Sequence, residues 1–110
     1  MLFRSFTYVD DIVAGVVACL DRPPTGSAPK HRLYNLGNHR SESLLDFIGV
    51  LEEALGCKAK LDLLPLQTGD VPETFADIAT SERDLGFSPK TTIREGLPRF
   101  VQWYRSYFAV

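Results

Sequence analysis

The sequence has 110 residues, enough for one small domain, and its 12 basic and 14 acidic residues give a formal net charge of -2 at pH 7. It has no run of Lys or Arg that could neutralise several phosphates, so we expect no nucleic-acid partner. The apolar runs are far shorter than the roughly 20 residues of a membrane span, and Met1 to Arg4 lack the apolar core of a signal peptide. These features predict a single unit in the cytoplasm without a membrane partner.

The chain opens with a predicted strand-to-helix corner. Phe6 to Val9 are aromatic or β-branched residues typical of a strand, and Asp10 and Asp11 are good N-cap residues for a helix that we predict from Asp11 to Leu20. Arg4 precedes this strand. Beside a cleft, an arginine can donate two hydrogen bonds to a phosphate or a carboxylate, whereas on an open surface it is solvated. The residues alone favour a surface charge for Arg4.

A loop rich in proline and glycine is predicted at 21–29. His31 to Leu36 then have the pattern of a strand, followed at Gly37-Asn38 by a turn that tolerates a positive φ. An apolar stripe at helical spacing predicts the next helix from Leu44 to Leu55. The residues that favour its ends are Ser43 with Asp46, as a capping box, and Gly56, as the C-cap.

In the second half of the chain, Lys58 to Leu63 alternate between polar and apolar residues, as in a strand with one solvated face. Glu73 to Asp77 predict a short strand, and a short helix should follow from about Ala79 to Leu85, ended by Gly86. The last helix has the clearest start, a Thr-x-x-Glu capping box, and an apolar stripe from Ile93 to Phe108. Its capping pair is Thr92 with Glu95, and Pro98 should bend it slightly.

The order of these elements predicts an α/β fold, more narrowly an α+β lobe with a small mixed sheet and about four helices. The glycines never fall two apart at a strand-to-helix turn, as a dinucleotide fingerprint requires, so we expect no cofactor bound by this route. Cys19 and Cys57 have no CxxC spacing, and His31 and His39 belong to no metal or hydrolase motif. We therefore predict free thiols and no metal site.

Five segments of the chain form a recognisable series: Arg4–Asp11, Tyr34–Asn38, Leu64–Pro72, Phe75–Asp77 and Asp84–Thr91. In this order they resemble the C-terminal part of the extended short-chain dehydrogenase/reductases, and among these most of all the NAD-dependent UDP-glucuronate 4-epimerases. The Pro-Leu-Gln-Thr-Gly-Asp-Val-Pro stretch in the third segment is typical of that subfamily. The resemblance implies that 1–110 is a single substrate-binding lobe and that the N-terminal NAD-binding Rossmann domain is absent.

The resemblance also implies roles for three residues in binding a UDP-sugar. Arg4 stands where these epimerases contact the diphosphate, and Asp70 stands where a carboxylate lies near the uridine ribose, whose hydroxyls it can bind. Gln67 stands where galactose-type relatives carry a second phosphate-binding arginine, so it offers a hydrogen bond but no charge. Without the resemblance, Asp70 would be interpreted as a residue that stabilises its own turn.

The chain departs from the family in ways that affect the site. Ser5 replaces the aspartate that is common beside Arg4, which removes an expected ion-pair partner, and Phe75 stands where galactose-type relatives carry a ring hydroxyl. The family's catalytic Tyr-x-x-x-Lys pair is missing, so we expect no catalytic residue. The residues four positions after Tyr8, Tyr34 and Tyr104 are Ile12, Asn38 and Phe108.

The main interpretation is thus a fragment of a UDP-glucuronate 4-epimerase-like enzyme that supplies part of the UDP-sugar site and is inactive alone, NAD being the cofactor of the parent family. The alternative is a non-catalytic binding or interaction module, or a subunit that completes a separate Rossmann chain. We expect weak binding of a UDP-sugar. Because Leu33 to Leu36 would continue the sheet of the absent domain, its loss should expose a strand edge and an apolar face, and we predict a homo-oligomer.

Overall fold

A computed structural model describes residues 2–26 and 30–110. Met1 and residues 27–29, which fall in the predicted loop 21–29, lie outside the described residues. The described chain forms two short strands and four helices, in the order β1 (Phe3–Arg4), α1 (Val9–Asp21), β2 (Glu42–Ser43), α2 (Leu44–Leu55), α3 (Ala79–Leu85) and α4 (Ile93–Phe108). The predicted class, an α+β lobe with about four helices, is confirmed.

The sheet has two short strands, and backbone pairs with β1 on both of its sides. On one side β1 pairs antiparallel with β2, so that Arg4 lies opposite Glu42. On the other side Phe3 forms a parallel bridge with Glu73, in which Phe3 N donates to Pro72 O (2.9 Å) and Thr74 N donates to Phe3 O (3.2 Å). The prediction of a small sheet is confirmed; its two strands are antiparallel, and the parallel pairing is limited to this bridge. The bridge brings the segment around residues 70–74 beside Arg4.

The first predicted strand, Phe6–Val9, is wrong. The strand lies earlier, at Phe3–Arg4, and α1 begins at Val9. Side-chain bonds take the place of a strand ladder here: Asn38 Nδ2 donates to Phe6 O (3.1 Å), and Asn38 N donates to Thr7 Oγ1 (2.8 Å). Because Asn38 is buried and bonded in this way, it fixes the path of the chain into α1 without pairing of a second strand.

Three more predicted strands do not form as expected. Residues 31–36 and 58–63 contain no strand, and the predicted strand 73–77 is reduced to the bridge at Glu73. Alternating polar and apolar residues describe a surface suited to a sheet, but a strand forms only where a second backbone pairs with it. In the segment 31–36 a side chain supplies a contact instead, since Ser81 Oγ donates to Asn35 O (2.6 Å).

Helix ends were predicted better than strands. Gly56 and Gly86 cap α2 and α3 in the left-handed conformation, with φ of 73° and 65°, and Thr92 Oγ1 accepts a hydrogen bond from Glu95 N (3.3 Å) at the start of α4. The capping box at Ser43 is wrong in its chemistry, because Ser43 occupies the N-cap position of α2 but its side chain makes no capping hydrogen bond. There, Leu44 N bonds to Leu2 O (2.9 Å), so the strand pair directs the start of α2.

The predicted N-caps of α1 are also wrong, because Asp10 and Asp11 lie inside the first turn and Tyr8 is the N-cap residue. Asp11 is buried, and its carboxylate accepts hydrogen bonds from Thr91 N (3.0 Å) and Lys90 N (3.3 Å). Its bonding partners therefore belong to the loop before α4 and not to α1. This carboxylate joins the start of α1 to the start of α4.

The apolar core is divided between two helix pairs. α1 packs on α3 around a cluster of Ile78, Leu85 and Phe87, and α2 packs on α4 around Val50 and Val101. The radius of gyration is 17.4 Å, whereas a compact domain of this length has about 13 Å. The lobe is therefore more open than an ordinary small domain.

Much apolar surface remains exposed, and α1 carries the most regular example. Its outer face presents a stripe at helical spacing, with Leu20 75% exposed. The members of this stripe are Val9, Val13, Val16, Val17 and Leu20, which we call the α1 outer face. A contiguous exposed apolar stripe of this kind is suited to contact with protein. No helix among residues 2–26 and 30–110 is long and apolar enough to cross a membrane.

Candidate functional site

The structure brings together two of the three residues that the sequence indicated for ligand binding. Arg4 Nη2 donates to Asp70 Oδ1 at 2.8 Å, although 66 positions separate the residues in the chain. Arg4 is directed further by its Nη1, which donates to Phe3 O (2.8 Å) and to Pro72 O (3.4 Å). The side chains keep 25% and 40% of their surface exposed, so a ligand can reach both.

A tight turn places Asp70 beside Arg4. Asp70 N donates to Gln67 O (3.1 Å), which closes a four-residue turn, and Gly69 has a φ of 91° at the third position. A turn with a positive φ at this position favours glycine, because a β-carbon is strained there. Asp70 Oδ1 also accepts a hydrogen bond from Val71 N (2.9 Å). The turn-stabilising role considered for Asp70 therefore exists alongside its ion pair with Arg4.

Gln67 takes part in this turn through its backbone. Its carbonyl closes the turn, and the residue is exposed. No hydrogen bond of its side-chain amide is recorded among residues 2–26 and 30–110. The structure therefore places Gln67 in the same turn as Asp70 but shows no contact between its amide and the Arg4–Asp70 pair.

A separate apolar cavity of about 380 Å³ lies between the segment before α1 and the helices α2 and α4. Rings form much of its wall, and Phe6 stacks on Phe47 with ring centroids 4.1 Å apart. The chief lining residues are Phe6, Tyr8, Phe47, Leu51, Leu97 and Phe100. The sequence interpretation missed this cavity, since its rings come from distant segments. Neither Arg4 nor Asp70 lines it.

A charged cluster around Asp84 was also missed from the sequence. Arg83 Nε donates to Asp84 Oδ1 (2.8 Å), and Tyr34 OH (3.0 Å) and Arg32 Nη1 (3.2 Å) donate to Oδ2. The hydrogen bond from Arg83 lowers the pKa of the Asp84 carboxyl, and the hydrogen bond from Tyr34 acts in the same direction, while burial opposes them. Arg22 Nη1 donates to the Asp84 carbonyl (2.9 Å), so the cluster ties the end of α1 to α3.

No group of three or more His, Cys, Asp or Glu side chains that could hold a metal ion occurs in the described part of the chain. Cys19 and Cys57 are both free thiols, the first half-buried and the second exposed.

Comparison with known proteins shows that the chain is similar to UDP-sugar epimerases. No family model matches the chain. The chain is 43% identical over 115 residues to UDP-glucuronate 4-epimerase 4 of Arabidopsis thaliana, a match that covers 96% of this chain and 26% of the relative. It is 37% identical over 120 residues to Protein CapI of Staphylococcus aureus, covering 97% of this chain and 36% of that protein.

A solved structure shows the same relationship. UDP-glucuronic acid 4-epimerase from Bacillus cereus, in complex with UDP-glucuronic acid and NAD, aligns with a TM-score of 0.80 and 30% identity over 96% of this chain and 33% of that chain. In these comparisons the chain spans between about a quarter and about a third of the proteins that it matches.

The fold and the comparisons define the class. The chain is similar over nearly its whole length to NAD-dependent UDP-sugar epimerases of the extended short-chain dehydrogenase/reductase class, and its helices and small sheet match their C-terminal lobe. Within that class it is related to the UDP-glucuronate 4-epimerases. The expectation from the five resembling segments is thus confirmed at the level of family and fold.

Proposed function

We propose that this chain supplies one side of the UDP-sugar site of a UDP-glucuronate 4-epimerase-like enzyme, with Arg4 on the diphosphate and Asp70 on the ribose. The observation that carries the proposal is the meeting of these side chains at 2.8 Å. The named relatives and the Bacillus cereus structure, which holds UDP-glucuronic acid, support the choice of ligand.

The physical basis is the complementarity of the pair to a nucleoside diphosphate. A guanidinium forms strong, directional hydrogen bonds with phosphate oxygens, and a carboxylate accepts hydrogen bonds from ribose hydroxyls. Gln67, in the same turn, adds a neutral amide that can reach a phosphate or sugar oxygen. Because this chain would contact only part of the ligand, we expect weak affinity.

In this proposal the chain provides binding and not the chemical step. It has no Tyr-x-x-x-Lys pair and no dinucleotide fingerprint, and its length corresponds to one substrate-binding lobe. The parent family's NAD would be held by a Rossmann domain outside 1–110. We therefore expect no epimerisation of UDP-glucuronate by this chain when NAD is added.

Ligand-detected NMR tests the proposed site. Saturation transferred from the protein should appear on the ribose and uracil protons of UDP and of UDP-glucuronate, and Arg4→Ala should abolish it because the diphosphate loses its cation. Arg94→Ala is a matched control, since Arg94 is exposed on α4 and lies 3.9 Å from Glu53. Equal signals from the Arg4→Ala variant and the unaltered chain would remove Arg4 from the site.

The exposed apolar surface supports a second function, that of an interaction module that completes a separate Rossmann chain. The α1 outer face exposes five aliphatic side chains in one stripe, and contiguous apolar surface of this kind marks a protein contact. Leu33, in the segment predicted to continue a sheet, is 82% exposed. In the absence of a partner, a second copy of the chain can bury such surfaces at an interface between the two copies.

Light scattering across a dilution series tests whether a second copy of the chain covers this exposed apolar surface. We expect a mass above that of one chain that falls on dilution, and Val13→Lys with Val17→Lys should lower it by placing two charges on the α1 outer face. Leu63→Lys is the control, because Leu63 is exposed on a different segment. A single-chain mass at every concentration would contradict the prediction of a homo-oligomer.

A further inference from the structure

We propose that Asp70 makes the Arg4 site selective for a nucleoside diphosphate against inorganic pyrophosphate, by neutralising Arg4 until a ligand supplies a partner for both side chains. This inference rests on the proposed function, because it names what the same site rejects. In addition to its contact with ribose, Asp70 would weaken the binding of free anions to Arg4.

The hydrogen-bond inventory of Arg4 shows what remains for a ligand. A guanidinium has five N–H donors, and the contacts to Phe3 O, Pro72 O and Asp70 Oδ1 engage three of them. Among residues 2–26 and 30–110, no acceptor is recorded for Nε–H or for the second N–H of Nη2. Arg4 is thus fixed in place but keeps donors for a phosphate oxygen.

The carboxylate of Asp70 is shared in a similar way. Oδ1 accepts both the hydrogen bond from Arg4 Nη2 and the one from Val71 N, whereas no donor to Oδ2 is recorded in the described part of the chain. Because 40% of the side chain is exposed, a ligand hydroxyl can approach Oδ2. The ion pair therefore presents free donors and a free acceptor together, which suits a ligand that carries both a phosphate and a hydroxyl.

The charges around the pair disfavour a simple anion. Arg4 and Asp70 sum to zero, and Glu42, which lies opposite Arg4 in the antiparallel register, adds a negative charge. Directly opposed residues of an antiparallel pair project from the same face. Inorganic pyrophosphate would gain the remaining donors of Arg4 but would meet Asp70 Oδ2, which it cannot donate to, whereas a nucleoside diphosphate can offset that repulsion by donating from its ribose hydroxyls.

The test compares UDP, uridine and magnesium-free inorganic pyrophosphate by titration into the 15N-labelled chain. The unaltered chain should bind UDP more tightly than pyrophosphate. Asp70→Asn should bind pyrophosphate more tightly and uridine more weakly. The affinity for uridine divided by the affinity for pyrophosphate should therefore fall by about tenfold, the change expected for one charge-assisted contact. Asp70→Glu keeps the charge and should keep pyrophosphate binding weak.

Two further variants make the result specific. Asp62→Asn changes the net charge equally on another part of the exposed segment and should leave the ratio unchanged. Asp70→Ser is a second neutral variant. It takes the place of Asp70→Asn in the titration if Asp70→Asn does not fold, because the serine hydroxyl can still accept a hydrogen bond from Val71 N.

The possible failures are distinguishable. If the unaltered chain binds UDP through Arg4 but neutral variants at Asp70 leave the selectivity unchanged, the inference is overturned and the proposed function stands. If the unaltered chain shows no binding of UDP, or if Arg4→Ala binds it equally well, the proposed function fails and the inference fails with it.

Discussion

Asp11 on α1 is bonded to Thr91, a residue 80 positions further along the chain, by a hydrogen bond of 3.0 Å from Thr91 N to its Oδ2. The same oxygen accepts from Lys90 N at 3.3 Å, and Asp11 is only 6% exposed. One buried carboxylate thus satisfies two successive backbone donors in the loop just before the last helix. The contact fixes the relative position of the two helix starts that flank the apolar cavity.

Asp11→Ala should therefore destabilise the fold by about 1–3 kcal/mol, because two partly buried backbone N–H groups lose their acceptor. Asp10→Ala is the control: Asp10 is the neighbouring residue in the same helical turn but is exposed, so its loss should cost only the helix-dipole contribution, about 0.3–1 kcal/mol. Urea unfolding followed by circular dichroism measures both. Equal losses in the two variants would show that the bonds to Lys90 and Thr91 contribute little.

Two helical glycines should respond in opposite ways to alanine. A β-carbon at Gly15 would lie 2.8 Å from Leu36 Cδ2 and 2.9 Å from Phe87 Cδ2, side chains that pack in the α1–α3 core, whereas a β-carbon at Gly49 meets nothing within 4 Å. Gly49→Ala should stabilise α2 by about 0.5–1 kcal/mol. Gly15→Ala gains the same propensity but overpacks the core, at a cost of about 1–3 kcal/mol.

The free energy of unfolding, measured for both glycine variants under the same conditions, tests this contrast. We expect Gly49→Ala to be more stable than the unaltered chain and Gly15→Ala to be no more stable than it. A similar gain at both positions would mean that α1 and the core cluster separate easily enough to accommodate a methyl group.

The Asp84 cluster should make the free energy of unfolding depend on pH in the acid range. Because the hydrogen bond from Arg83 lowers the pKa of Asp84 in the folded chain, its contribution is fully present above the ordinary pKa of an aspartate and is lost as the pH falls through the lowered value. Asp84→Asn should be less stable than the unaltered chain at pH 7, and this difference should shrink towards pH 3. A difference of the same size at both pH values would contradict the role given to the charge.

Asp62→Asn is the control for the acid experiment, since it removes the same charge from an exposed residue. At pH 7 it should change the free energy of unfolding by less than about 0.5 kcal/mol, as expected for a surface position. A loss like that of Asp84→Asn would point to net charge and not to the cluster.

Helices could be predicted from the sequence because their signals are local. The Thr92–Glu95 pair and the glycines Gly56 and Gly86 act within one turn, and each appears where the pattern indicates. The strands could not be predicted in this way, because pairing depends on which backbone lies alongside. Phe3, whose strand was placed too late in the chain, pairs with Ser43 and Glu73, and neither partner can be read from the residues around Phe3.

The candidate site likewise has one feature with a local sequence signal and one without. Gly69 signals a turn through its own conformational freedom, and the structure has that turn. The ion pair between Arg4 and Asp70 has no local signal, since 66 positions separate the two residues. Ser5 removed the partner expected next to Arg4, and Asp70 is the carboxylate that bonds to Arg4 in the structure. Gly37 was expected in a turn that tolerates a positive φ, but its φ is not positive. Its lack of a side chain instead allows close packing, because a β-carbon there would lie 3.1 Å from Ala76 Cβ.

The most direct test of the proposed UDP-sugar site is a map of backbone amide shifts of the 15N-labelled chain during titration with UDP. We expect the signals of Phe3, Arg4, Gly69 and Asp70 to move together, because the phosphate and the ribose would contact one ion pair. Shifts confined to the apolar cavity, at Tyr8, Phe47 and Leu97, would place the nucleotide elsewhere and contradict the proposed site.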